Sequence, residues 1–300
     1  MRSMGLPLVV GVDGSESSLL AVDWAADEAI LHGLPLRLVY ASLWERYEGW
    51  PPSAGRSSLA AAEGSPDRTT AGDIVAVAVE RARRRAPDLA VESAALPDDP
   101  VHALLREGHN AAALVTGCRG RGDLQGLLLG SVCLAVAGRA AGPVIVVRGD
   151  PDGVAGTRGR VVLGVGGPGT SGAATRFALR EAEVRTCALD VVRTWRHPAH
   201  QPGERPLPSG NTGASYEEQA SALVDGLLEE AMTDHPGVLV HRRVVEGPAR
   251  TVLLQQSAAA DLLVVGVARR RGWGGLQLGR VTHTMLHHAR CPVAVVPDFP

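Results

Sequence analysis

The sequence predicts an α/β protein built from two copies of one parallel-sheet domain, and three observations carry that prediction. First, the chain repeats itself. "LPLVVGVDGSESSLLAVDWAADEA" (Leu6 to Ala29) aligns with "GRVVLGVGGPGTSGAATRFALREA" (Gly159 to Ala182), and "GPVIVV" from Gly142 aligns with "CPVAVV" from Cys291. A period of about 150 residues is a whole domain, not the 20–50-residue period of a solenoid. Second, short continuous apolar runs alternate with helical patterns, the signature of strands buried on both faces between crossover helices. Third, 300 residues suit two domains of ordinary size.

In the first copy the strands are expected at Leu8–Val12, Leu36–Ala41, Ala90–Ala95, Ala113–Thr116 and Val144–Val147. Helices are expected at Ser17–Leu31, Asp67–Arg85, Pro100–Glu107 and Ser131–Arg139. In the second copy strands are expected at Val161–Val165, Ala188–Val192, Val238–Val244, Leu262–Val265 and Val293–Val296. The domains are taken as 1–147 and 160–300. Residues 148–159, "RGDPDGVAGTRG", are rich in Gly, Pro and Asp and read as a linker. Ser42–Pro66 and Arg196–Ser215 read as mobile loops able to serve as lids.

Composition narrows the function. The chain is 45% apolar and 21% charged, the balance of a globular protein, with a formal net charge of -2. That charge gives no general pull toward nucleic acid or a membrane surface, and 3% aromatics are too few for a base-stacking platform. No apolar run nears the ~20 residues of a membrane span. The N-terminus shows no signal-peptide pattern, so a cytoplasmic location is the expectation. Cys118, Cys133, Cys187 and Cys291 form no C-x-x-C pair, which speaks against a structural metal or disulfide framework. All 30 basic residues are arginine. Without lysine there is neither a Walker A phosphate lysine nor a pyridoxal Schiff base. Bound phosphate must be met by backbone N–H groups, hydroxyls and arginine.

In an open parallel α/β sheet, ligands sit beyond the C-terminal strand ends where the strand order reverses. The loop after the first strand is "VDGSESS", with Asp13 at the strand end. The loop after the fourth holds Gly117-Cys118-Arg119-Gly120, then nine residues, then Gly130-Ser131 at a helix start. The glycines let backbone approach an anion closely. The helix start offers unpaired N–H groups and the positive end of the dipole, and the Ser131 hydroxyl can bond the anion or cap the helix. Asp13 is placed to accept hydrogen bonds from a ribose. G-x-x-G alone equally fits a tight βα turn; the full G-x2-G-x9-G-S, with Asp13 across the crevice, is more specific.

With "VVGVDGSESS", "LVYASLW", "TGCRGRGDLQGLLLGSV" and the closing "PVIVV", the chain resembles the universal stress protein family in its tandem form, over nearly its whole length and twice. The nine-residue spacing is similar to that of the ATP-binding type. The resemblance implies Rossmann-like domains (adenine nucleotide alpha hydrolase-like), each a five-stranded parallel sheet of order 3-2-1-4-5. It implies ATP in the first domain, with adenine near Tyr40 and Ala41 and adenosine at Asp13. Phosphates would lie at Gly117, Gly120, Gly130 and Ser131. The expected binding set is Gly11, Val12, Asp13, Gly14, Ala41, Gly117, Arg119, Gly120, Arg121, Gly130, Ser131 and Val132. Arg119 and Arg121 flank the loop and either pair with phosphate oxygens or are solvated. Magnesium can accompany the phosphates, although no protein cage for it is evident. The resemblance also implies that the final strands of the two copies pair as an intramolecular pseudo-dimer, with a homodimer and an unidentified protein partner open. The expected role is a nucleotide-dependent stress sensor; the alternatives are a slow ATPase and a scaffold in which ATP is structural. No nucleophile–base set for fast hydrolysis appears.

The second copy departs from the pattern. Asp13 becomes Gly166, the second glycine becomes Arg269, and Ser131 becomes Arg280. A vestigial site is expected there, or one in which "ARRRGWGG" holds another anion or Arg280 fills the empty phosphate pocket. Cys118, inside the phosphate loop, is either a redox-sensitive thiol or a small loop residue, while Cys133 and Cys291 belong to apolar, core-like contexts. His283, His287 and His288 have helical metal-ligand spacing but no accompanying carboxylate, and fit an exposed face. "ERARRR" from Glu80 reads as a solvated helix face.

Overall fold

A computed structural model of the chain describes residues 5–43, 70–119, 129–167, 169–196, 212–268 and 278–298. The first copy holds strands β1 (Leu8–Gly11), β2 (Leu36–Ala41), β3 (Val91–Leu96), β4 (Ala113–Gly117) and β5 (Val144–Val147). Its helices are α1 (Glu16–His32), α2 (Ala71–Arg85), α3 (Pro100–Glu107) and α4 (Ser131–Arg139). A short helix, α5 (Pro151–Val154), joins it to the second copy. There the strands are β6 (Arg160–Gly164), β7 (Ala188–Trp195), β8 (Val240–Glu246), β9 (Leu262–Ala268) and β10 (Val293–Asp298), and the helices are α6 (Gly172–Val184), α7 (Thr212–Ala231), α8 (Ala249–Ser257) and α9 (Arg280–His288).

The strands form one sheet in the order β3-β2-β1-β4-β5-β10-β9-β6-β7-β8. Each half, read inward from its own edge, is a parallel 3-2-1-4-5 sheet. The halves meet at β5 and β10, which pair antiparallel with Val293 opposite Val146 and Val295 opposite Val144. The apolar final strands thus cover each other within the chain, which removes two sheet edges. Alternate strand residues feed two cores. One lies between the sheet and α1, α2, α6 and α7 and contains Val10, Leu38, Ile74, Leu163, Leu179 and Leu228. The other lies against α3, α4, α8 and α9 and contains Val9, Leu104, Val136, Leu263, Met285 and Leu286. Cys133 and Cys291 are buried in this second core.

Some element ends differ from the sequence expectation. Among the described residues β7, β9 and β10 run further, through the polar residues Thr194 and Asp298 and the small Ala268, because main-chain pairing continues after the apolar run ends. Helix α2 starts at Ala71, where Thr70 and Asp73 form a reciprocal capping box. The segment expected as a linker is structured. Asp150 caps α5 through Gly153 N at 2.8 Å and meets Arg158 Nη2 at 2.5 Å. The buried Asp261 carboxylate then accepts from Arg158 N and Arg160 N at 2.7 and 3.1 Å. Of the two expected loops, residues 44–66 and 197–211 lie outside the described residues, while Thr212–Ser215 begins α7. Among the described residues, no helix is long and apolar enough to cross a membrane.

Candidate functional site

The β1–α1 and β4–α4 loops meet at the C-terminal edge of the first half-sheet, where the strand order reverses between β1 and β4. Gly14, at φ +80°, turns the chain after Asp13. Asp13 Oδ1 then accepts from Ser15 N at 2.9 Å and Ser15 Oγ at 2.6 Å. Ser15 in turn caps α1 by accepting from Ser18 N at 3.2 Å. The sequence reading assigned Asp13 to a ligand alone; in the structure one of its oxygens also shapes this turn. Gly11 and Val12 lead into it. Gly11 packs on Leu104, so its lack of a side chain serves the core.

The opposite loop is tied to this one. Arg119 N donates to Ser17 Oγ at 3.1 Å, and Ser17 Oγ lies 3.7 Å from Cys118 Sγ. A Cβ on Gly117 would stand 2.5 Å from the Ser17 carbonyl oxygen. Gly117 therefore lets β4 pass the first turn of α1, a packing demand that the sequence reading had assigned to ligand approach. Gly130 N donates to Cys118 O at 3.0 Å and closes the neck of the intervening loop. Gly120 and Arg121, both expected in the site, lie outside the described residues.

Gly130 is the N-cap of α4 and Ser131 its first helical residue, so Ser131 does not cap the helix as one reading expected. Among the described residues no side chain caps the α4 N-terminus, whereas Ser15, Thr70 and Asp99 cap α1, α2 and α3. Ser131 is exposed and Val132 half-buried; Ala41, at the end of β2, is also half-buried. Beneath the loop, Thr116 Oγ1 donates to Cys133 Sγ at 3.4 Å, and burial pushes that thiol up to about 12. The described part of the site therefore joins an exposed helix start with open N–H groups to a serine-rich turn bearing one carboxylate, a combination suited to a phosphorylated sugar.

The profile of the Universal stress protein family matches residues 6–148 and again residues 157–297. The chain belongs to the universal stress protein family. It is 32% identical over 296 residues to a universal stress protein of Mycolicibacterium smegmatis, covering 96% of each chain. It is 34% identical over 295 residues to one of Mycobacterium tuberculosis, again covering 96% of each. A universal stress protein from Archaeoglobus fulgidus shares the fold over 99% of both chains, with a TM-score of 0.61 at 15% identity.

The second universal stress protein domain keeps the frame of the site and fills it with its own side chains. Gly166 N donates to Ser171 Oγ at 3.0 Å, as Asp13 N does to Ser18 Oγ at 3.4 Å, but Gly166 brings no carboxylate. Gly266 abuts the Thr170 carbonyl as Gly117 abuts that of Ser17. Strand register places Arg193 where the first domain has Tyr40. Its Nη1 donates to Val165 O at 3.1 Å and Gly166 O at 2.6 Å, and burial lowers its pKa. Asp298 Oδ2 accepts from Gly172 N at 2.8 Å and Ala173 N at 3.4 Å, so a carboxylate of the chain itself occupies the α6 N-terminus. Arg280 begins α9 as expected, and Arg269 lies outside the described residues. The sequence reading missed Arg193 and Asp298. Extending the repeat alignment along β7 exposes the Tyr40-to-Arg193 change; Asp298 has no sequence signal, because its partners are backbone groups more than a hundred residues away.

Proposed function

We propose that the first domain binds one ATP per chain, with Mg2+ carried on the phosphates, and that the protein reports its nucleotide state to a partner as a stress-response regulator. Gly130, Ser131 and Val132 would present backbone N–H groups and a hydroxyl to the phosphates, with Arg119 and the loop residues Gly120 and Arg121 beside them. Gly11, Val12, Asp13 and Gly14 would meet the adenosine, with Ala41 at the base. The observation that carries this reading is the uncapped, exposed start of α4 beside the Asp13 turn. In the second domain Arg193 and Asp298 hold the corresponding crevice and the α6 start, which supports a single site. Mass spectrometry of nucleotide released from the purified protein, followed by titration of the stripped protein with ATP, tests the assignment. Saturable ATP binding is expected; no binding of any adenine nucleotide would overturn it.

A further inference from the structure

The two copies also meet through a buried group of charges that the nucleotide site does not use. Glu28 and His32 lie a turn apart at the end of α1. Glu181 lies near the end of α6, and Arg185 is its C-cap. In the repeat these are the same two positions, with glutamate conserved in kind between copies and histidine exchanged for arginine. His32 Nε2 stands 3.3 Å from Glu28 Oε1 and 3.2 Å from Glu181 Oε1. Arg185 Nη2 stands 2.5 Å from Glu28 Oε2 and 3.2 Å from Glu181 Oε2. Each cation thus bridges one carboxylate from each copy, and Arg185 also lies 5.9 Å from the centroid of the Trp24 ring. Both carboxylate side chains are only 3% exposed.

Charge balance identifies the state of this cluster. Once Glu181 is ionised, above about pH 7, two buried carboxylates need two positive charges. Arg185 supplies one permanently, and the other is the proton of His32. The surrounding charges are already paired: Asp23 with Arg81, Asp27 with Arg85, and Glu183 with His235. Among the described residues Cys187 is the remaining titratable neighbour of the cluster, its thiol raised by burial. Glu28, His32 and Glu181 would also offer a divalent cation three ligand atoms within 4.8 Å of one another. Arg185 decides against it, since a divalent cation in place of the proton leaves excess positive charge in a buried cluster.

We propose that Glu28, His32, Glu181 and Arg185 form a protonated clasp that holds α1 of one copy against α6 of the other and loosens when His32 loses its proton. Hydrogen bonds to Glu181 and Glu28 outweigh burial and raise the His32 pKa to about 9. A folded-state pKa raised above the unfolded ~6.5 gives stability that is complete below that value and lost as pH rises through about 9. Burial and the Glu28 charge raise Glu181 to about 7, so its contribution is lost at lower pH, as pH rises from the ordinary carboxylate range through about 7. Burial opposes the Glu28 charge, but Arg185 and the hydrogen bonds of His32 and Glu181 prevail and lower its pKa, so its contribution is lost only in strong acid.

The test is an NMR titration of the His32 ring in the full chain, assigned with His32→Gln, together with urea unfolding from pH 6 to pH 10 of wild type and His32→Arg. His32 is expected to titrate near pH 9. The wild-type folding constant should fall on the order of 100-fold more than that of His32→Arg across this range. Glu181→Gln, similar in shape, should lower the His32 pKa by about one unit or more, a readout that holds even if His32→Arg does not fold. Titration of His32 at or below pH 6.5, or an unchanged pH slope in His32→Arg, would overturn the clasp. So would one equivalent of Zn2+ that stabilises the wild type and perturbs the His32 resonances.

Discussion

Gly117→Ala tests how the two loops of the candidate site are joined. The added methyl would lie 2.5 Å from the Ser17 carbonyl oxygen and 2.6 Å from both its carbonyl carbon and its Oγ. These are mostly main-chain atoms at the start of α1, so no rotamer change relieves the contact. The gap must open by roughly 0.5–1 Å, and overpacking of this kind costs about 1–3 kcal/mol. For a chain of 300 residues the melting temperature should fall by roughly 2–5 °C. Gly11→Ala is the internal control. Its methyl would approach Leu104 Cδ1 at 2.9 Å, the mobile end of a side chain, and should cost about 1 kcal/mol or less. Thermal unfolding of the two variants side by side decides. Because Arg119 N bonds Ser17 Oγ, Gly117→Ala should also weaken ATP binding. Equal melting temperatures for wild type and Gly117→Ala, or a larger loss in Gly11→Ala, would refute the close-approach argument.

Two further substitutions probe the two helix starts. Ser131→Ala should weaken ATP binding by about 1 kcal/mol, the contribution of one hydrogen bond, with no change in thermal stability of the free protein, since Ser131 caps nothing. Asp298→Ala removes the carboxylate from the α6 N-terminus and should destabilise the chain by about 1 kcal/mol, measured by urea unfolding; it should create no second ATP site, because Arg193 still occupies the end of β6.

The repeat, the parallel order and the strand cores were legible because doubly buried strands must be continuously apolar, and β1, β4, β5 and their counterparts are. Strand ends were less legible where pairing outlasts the apolar run, as at Asp298 and along β8. The "HRR" of β8 fell inside the expected strand Val238–Val244, but its partner was not legible: His241 and Arg243 lie against the buried Asp190 carboxylate of β7, which Arg160 also reaches. The short helix within the linker was not legible, because Gly, Pro and Asp mark a capped helix as readily as an open loop. The glycine spacing pointed to two loops that the structure brings together, and Gly11 and Gly117 also meet packing demands from Leu104 and Ser17. Sequence spacing cannot separate a glycine needed by a neighbour from one needed by a ligand. Glu28 and Glu181 read as ordinary helix residues, because their burial depends on how the two copies dock.

Isothermal titration of the nucleotide-stripped chain with ATP, beside a Ser131→Arg variant that copies Arg280 of the second domain, tests the central claim most directly. One site per chain, lost in Ser131→Arg, is the predicted result. Two equivalent sites, or a single site unaffected by Ser131→Arg, would contradict the assignment to the first domain.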